Sequence, residues 1–164
     1  MSLDVDLERI ALQERLLHWP RFDADLAWKL GCLLRDRAIE RKAPIVIDVR
    51  RFGQPLFYAA IEGSTPDNAD WARRKNNAVA RFHRSTYGLS LMLQSQKTTL
   101  ADKFGLPLAE YAAHGGAFPI TVLGTGVIGS VTISGLPQRE DHELVVQAIC
   151  SQLGVDYKNV ALDA

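Results

Sequence analysis

The stretch Gly124-Thr125-Gly126-Val127-Ile128-Gly129-Ser130-Val131-Thr132-Ile133-Ser134 has two readings that lead to different folds. Its first six residues match G-x-G-x-x-G, the pattern that cradles a dinucleotide pyrophosphate. That chemistry needs a helix N-terminus directly after the glycines, so that backbone N–H groups and the helix dipole face the phosphates. Here the last glycine leads instead into an alternating, β-branched run, which is a strand. Phe118 to Leu123 precedes the glycines with the same character. The segment therefore reads as a hairpin turning at Gly124-Thr125-Gly126, and a dinucleotide site is rejected.

Outward from this hairpin, a second one is expected upstream. Ile45 to Arg50 reads as a strand with Ile45, Ile47 and Val49 on one face, Phe52-Gly53-Gln54 as a turn, and Leu56 to Ile61 as the returning strand. Helices fill the remainder. Leu7, Ile10, Ala11 and Leu17 recur at helical spacing behind Asp4 or Asp6 as cap, and that helix must stop before Pro20. Asp23 caps a second helix ending before Pro44. Ser64-Thr65-Pro66-Asp67 opens a third, expected to run at least to Arg84 and on toward Leu93. A short helix after Thr98 or Thr99, another turn or two over Leu108 to His114, and a last helix from Pro137 to a Gly154 C-cap complete the order. Two hairpins separated by helices give an α+β class with an antiparallel sheet of at least four strands and packed helices, in one domain over residues 1–164.

Composition narrows the function classes. Of 164 residues, 47% are hydrophobic and 23% charged, which is ordinary globular usage. Lys plus Arg and Asp plus Glu are 19 each, so no net charge draws the chain to nucleic acid or acidic lipid. No apolar run approaches the roughly 20 residues needed to cross a bilayer. The acidic, amphipathic start MSLDVDLERI is unlike a secretory signal, and Cys32 and Cys150 read as separate reduced thiols; a cytoplasmic protein is expected.

The segment Trp71 to Arg84 holds most of the candidate chemistry. At 100° per residue, Arg73, Arg74, Asn77, Arg81 and Arg84 share about 100° of arc, with Trp71, Ala78, Val79 and Phe82 opposite. Guanidinium groups in such a stripe suit carboxylates or phosphates. The plainer expectation is a solvated face, or pairing between subunits with the acidic turn Glu140-Asp141-Glu143. Lys75 falls on the apolar face. Buried, it would be an amine of depressed pKa of the kind enzymes use, but packing its stem on Trp71 with its head in water is the expected arrangement.

His114-Gly115-Gly116 joins a helical segment to a strand, where paired glycines permit close backbone approach or positive φ. His114 is a candidate metal ligand or acid/base group, and His83 a second. His18 and His142 look structural. Asp48 lies on the less apolar side of its strand, either buried with an arginine or exposed. Metal-binding spacings such as H-E-x-x-H or C-x-x-C are missing, as is the G-x-S-x-G elbow.

DVDLERIALQER (Asp4 to Arg15), Ile45 to Arg50, TPDNADWARRKNNAVARFHR (Thr65 to Arg84), HGGAFPI (His114 to Ile120) and GTGVIGSVTISGLPQRE (Gly124 to Glu140) together resemble the cytosolic branch of the haem-degrading-domain family. That family is related to glycolate-operon accessory proteins, haem-binding sensor proteins and the C-terminal domains of corrinoid adenosyltransferases. The resemblance covers nearly the whole chain. It implies a profilin- or PAS-like sheet with helices on both sides, a homo-oligomer of at least two copies, and haem or a related tetrapyrrole as ligand. The most widely shared segments form the fold, so the resemblance assigns no catalytic residue.

Within that implied ligand class, His114 is the expected iron ligand with His83 as substitute. Arg73, Arg81 or Arg84 would pair with propionates, and Phe118 or Tyr111 would stack on the ring. Two other functions stay open. One is a non-enzymatic oligomeric adaptor joined through the arginine stripe and the acidic last helix. The other is an enzyme on a small anionic metabolite, using Lys75 or His114 with the arginines.

Overall fold

The glycine-rich segment is a hairpin. In the computed structural model, which describes residues 2–162, strand β4 (Ala117–Val122) turns through residues 123–125 into β5 (Gly126–Ser134). Gly124 and Gly126 hold φ of 76° and 104°, left-handed values that disfavour any side chain. Gly129 serves another purpose. A Cβ there would lie 1.9 Å from the Arg50 carbonyl oxygen, so the third glycine permits close approach of the neighbouring strand. Met1, Asp163 and Ala164, at the ends of the span read as one domain, lie outside the described residues.

The first hairpin is β2 (Val46–Arg51) and β3 (Gln54–Ala60). It pairs with β5 to give a five-stranded sheet in the order β1-β4-β5-β2-β3. The sheet is mixed, which corrects the antiparallel expectation. His18–Trp19, a two-residue strand β1, pairs in parallel with Thr121 and Val122. No alternation marks so short a strand; the fully buried Trp19 ring anchors it in the core.

Helix α1 (Leu3–Leu16) starts one position beyond Ser2, ahead of the Asp4 and Asp6 caps expected for it. Helix α2 (Ala24–Glu40) is capped as expected, with Asp23 Oδ1 accepting from the Leu26 N–H at 2.8 Å. Helix α3 (Pro66–Phe82) begins where Thr65 N–H donates to Asn68 Oδ1 at 2.8 Å. It stops at Phe82, short of the expected Arg84, because His83 turns left-handed at φ 54°. A separate α4 (Thr86–Ser95) starts at the Ser85 cap, whose hydroxyl accepts from Gly88 N–H. Helix α5 (Leu100–Phe104) follows Thr99, and α6 (Gln138–Leu153) ends at Gly154 as the sequence implies. Residues 108–114 form a turn followed by irregular chain rather than the helical turns expected.

Strand alternation sorts the two sheet faces. Ile45, Ile47, Val49, Val131 and Ile133 pack with α2 and α6 in the main core. Burying each such side chain contributes about 1.5–3 kcal/mol, and a one-residue slip would forfeit it, so register is fixed by this face. The face under α3 is polar. Asp48 pairs across the strands with Thr132, and Arg50 with Ser130. Asp48 is 2% exposed and accepts from Arg50 Nε at 2.8 Å and Nη2 at 3.0 Å, the buried alternative of its two readings. Helix α3 therefore covers hydrogen-bonding groups as well as apolar ones.

Candidate functional site

Helix α3 presents Trp71 and Lys75 one turn apart, and residues 107–114 bring His114 to them. The arginine stripe holds that segment. Arg73 donates to Glu110 Oε2 and the Ala109 carbonyl, both at 2.8 Å. Arg74 reaches the Leu108 carbonyl at 3.3 Å, and Asn77 Nδ2 the Glu110 carbonyl at 2.8 Å. Asp70 braces both arginines from the preceding turn, lifting the Arg73 pKa above its ordinary value. Arg73 and Arg74 thus bind their own chain, Arg73 on a face that is still 41% exposed and Arg74 with its side chain 15% exposed.

The acidic partner proposed for them is also occupied. Asp141 is buried against Lys75, and Glu143 accepts a hydrogen bond from the Tyr157 hydroxyl. Burial, the largest effect, lifts Glu143 to a pKa of about 7.

Lys75 does not send its amine to water. The residue is 3% exposed, and Nζ donates to the Ile133 carbonyl at 3.0 Å and to Asp141 Oδ2 at 3.1 Å. Asp141 also accepts from the Gly135 and Leu136 N–H groups at 3.3 and 3.1 Å. Desolvation pushes Lys75 below its ordinary pKa and Asp141 above its own, each shift opposed by the partner's charge.

The paired glycines make room for this pair. A Cβ on Gly115 would sit 2.1 Å from the Gln138 carbonyl oxygen. On Gly116, at φ 131°, it would meet Ile133 O at 2.4 Å and Lys75 Nζ at 2.7 Å.

Two cavities share Trp71 and His114. One of about 260 Å³ is lined by Trp71, Lys75, His114, Ser134, Gln138 and Asp141. The other, about 420 Å³ and more apolar, runs past Leu93, Leu100, Leu108 and Tyr111, with Arg74 along its wall. The exposed His114 ring stands edge-on to Trp71 with centroids 4.9 Å apart, and the Arg74 guanidinium lies 4.0 Å over that indole. Desolvation, then the charges of Lys75 and Arg74, hold His114 below the usual imidazole pKa. At neutral pH the ring is an uncharged imidazole with one nitrogen lone pair for a metal or a proton.

The expected residues do not form one site. His114, Tyr111 and Arg74 meet in the larger groove, and Lys75 lies beside them in the smaller cavity. His83 is exposed at the end of α3 and lines a different cleft. Arg81 is exposed, and Arg84 turns to Glu14 at 3.7 Å and Met92 Sδ at 3.6 Å. Phe118 is 1% exposed within the main core, so it cannot stack on a ligand at the groove. His83 and Arg84 follow the C-terminal end of α3, whereas His114 meets that helix at Trp71 and Lys75, two or more turns earlier. Asp141 and Gly116 were missed as partners of Lys75. No local signal ties them to it; Asp70, three and four residues before the arginines, was missed as well, although its helical spacing is a signal that could have found it.

Comparison with known proteins now adds to this geometry. Residues 22–150 match the family described as haem degrading protein HbpS-like. A UPF0303 protein of Burkholderia mallei is 62% identical over 162 residues, covering 99% of this chain and 98% of the relative. The crystal structure of the Ybr137w protein superposes with a TM-score of 0.86 at 30% identity, over 94% of this chain and 92% of that one. PduOC, solved as a haem complex, shares the fold at a TM-score of 0.67 and 20% identity, over 82% of this chain and 96% of its own. With the matched region spanning most of its length and its relatives aligned nearly end to end, the chain belongs to the HbpS-like haem-degrading protein family.

Proposed function

We propose that this protein binds haem or a related tetrapyrrole in the groove beside α3, with His114 as the iron ligand. One observation carries the reading: His114 offers an exposed, uncharged imidazole at the mouth of a predominantly apolar groove of about 420 Å³. The lining fits such a group. Leu93, Leu100, Leu108 and Tyr111 supply apolar and aromatic surface for a macrocycle, and the Arg74 guanidinium supplies positive charge for a propionate. Both arginines pair with Asp70, but only Arg74 lines the groove, so Arg74 takes the propionate role. Bound haem supplies an iron centre for oxygen chemistry on the macrocycle itself. The chain's own part is to hold the iron through His114, to fix that ring against Trp71, and to keep it unprotonated.

We place this activity in a cytoplasmic homo-oligomer of single-domain subunits. The exposed Trp28 and Tyr58, beside and on the unpaired edge strand β3, support self-association. Among the described residues no helix is long and apolar enough to cross a membrane.

The test is a haemin titration followed in the Soret band. A saturable one-to-one shift that His114→Ala loses is expected. A shift that His114→Ala keeps, or none, overturns the reading. A second reading, acid–base chemistry on a small anionic metabolite, is favoured by Lys75, Asp141 and His114 sharing one cavity. It requires the Lys75 amine to react with an electrophilic reagent ahead of the surface lysines; protection of that amine overturns it.

A further inference from the structure

A third cleft, of about 270 Å³, lies toward the other end of α3 and shares no lining residue with the two cavities around His114. Its deepest members are Asn76 and Ser130, each 5% exposed. Ser130 Oγ and Thr132 Oγ1 donate to Asn76 Oδ1 at 2.7 and 2.6 Å. The Asn76 amide nitrogen, buried, has no hydrogen-bond partner. Buried donors in folded proteins are almost always satisfied, and a persistent orphan in a cleft wall marks a place where something else accepts the bond.

Arg50 stands on the same wall. Its Nε and Nη2 hold Asp48, which leaves Nη1 to the cleft with the side chain 30% exposed. Among the described residues no carboxylate lines the cleft; Asn77, Ala80 and His83 of the α3 end form one wall, and Val127, Ile128 and Phe52 another, the last 78% exposed on a turn at φ 49°. Arg50 Nη1 and Asn76 Nδ2 are thus donors on one wall, facing the apolar surface of Val127, Ile128 and Phe52, with the Asn77 amide and the His83 imidazole on the helix side. Because Asp48 offsets the Arg50 charge, a phosphate dianion meets no excess positive charge here, whereas a carboxylate needs only the two N–H donors for its single charge.

We propose that this cleft binds a small organic monocarboxylate, its carboxylate on Arg50 Nη1 and Asn76 Nδ2 and its apolar body against Val127, Ile128 and Phe52. The volume is just under the roughly 300–1,000 Å³ usual for small-molecule sites, which matches a ligand the size of a single aromatic ring and its acid group.

Benzoate is the probe, titrated into the full chain to roughly 10 mM and followed by ¹H–¹⁵N NMR. Saturable shifts are expected at the Asn76 side-chain NH₂ and the Gly129 and Ser130 amides. Benzyl alcohol should bind at least about tenfold more weakly, and Arg50→Gln should weaken benzoate by a similar factor. Ala80→Trp fills the cleft from an exposed helix position, so it abolishes binding without disturbing the core even where Arg50→Gln fails to fold. The proposal is overturned by no saturable shift at Asn76, by equal binding of benzyl alcohol, by binding that survives Ala80→Trp, or by shifts confined to Trp71, Tyr111 and His114.

Discussion

Lys75 Nζ lies 3.1 Å from Asp141 Oδ2, and the two side chains, 4% and 2% exposed, form an ion pair sealed between α3, the sheet and the start of α6. Sixty-six residues separate them in sequence. The pair closes the floor of the cavity whose rim is His114, so its charge state sets the field at that ring.

Removing one partner leaves the other charge uncompensated. Lys75→Met is expected to destabilise the fold by about 3–5 kcal/mol in urea denaturation at neutral pH. Without the ammonium, Asp141 keeps the rise in pKa that burial imposes. A carboxyl whose folded pKa is raised favours the fold below its unfolded value and loses that advantage as pH rises. The penalty should therefore shrink as pH falls toward 4. The double variant Lys75→Met/Asp141→Leu should recover much of the loss; equal stability of single and double variants would remove the pair's energetic role.

Gly116→Ala tests the space that the pair needs. The new methyl would meet a backbone oxygen at 2.4 Å and Lys75 Nζ at 2.7 Å, at a φ of 131° that L residues rarely adopt. A loss of about 2–4 kcal/mol is expected by thermal or chemical unfolding. Gly105→Ala, at a left-handed helix C-cap with nothing within 4 Å, should cost about 1 kcal/mol.

His142 and Glu143 set opposite pH slopes. Burial lowers His142 to a pKa of about 3, with Nε2 held by Gln13 Oε1 at 2.8 Å, and raises Glu143 to about 7. The folded state keeps His142 neutral, so its contribution is complete above the ordinary 6.5 and is lost as pH falls toward 3. Glu143 is the reverse: complete below 4.5 and lost as pH rises through 7. The two cancel between 4.5 and 6.5. In His142→Gln the first disappears. The stability gap between wild type and variant should therefore close by about 1.4 kcal/mol per pH unit on going from pH 6 to pH 4, read from urea midpoints. A pH-independent gap would show that His142 titrates normally.

The arginine stripe makes a dynamic prediction. Arg73→Ala with Asn77→Ala removes the side-chain bonds to Ala109 and Glu110. Hydrogen exchange over residues 108–112 should accelerate, including the Ala112 N–H that donates to the Arg74 carbonyl, while α3 and β5 keep their protection. Weakened haemin binding should accompany it, because this segment positions His114. Unchanged exchange would mean that the segment is held by its apolar contacts alone.

The local features of this protein were legible in the sequence. The Gly124–Gly126 turn, the Asp23 cap, the Thr65-Pro66 helix start and the Gly154 stop each depend on dihedral limits or hydrogen bonds spanning a few residues, which local residue types dictate. Strand alternation likewise assigned Ile45, Ile47 and Val49 to one face. The glycines after His114 single it out in the sequence, and it lines a groove together with Tyr111.

The tertiary structure decided the rest, because those features depend on which distant groups meet. Glu14 Oε1 accepts from the Ser85 N–H at 2.7 Å, so a residue of α1 helps to end α3 and start α4 where no glycine or proline stands. His83, at that break, lines one cleft, and His114, beside the middle of α3, lines others. Lys75 was expected in water because an isolated buried ammonium is costly. Only the arrival of Asp141 and the Ile133 carbonyl supplied the charge and hydrogen bonds that make its burial tolerable. Helical periodicity names the face a side chain takes; desolvation and charge pairing, which fix what that side chain does, are set by partners that the folded chain brings to it.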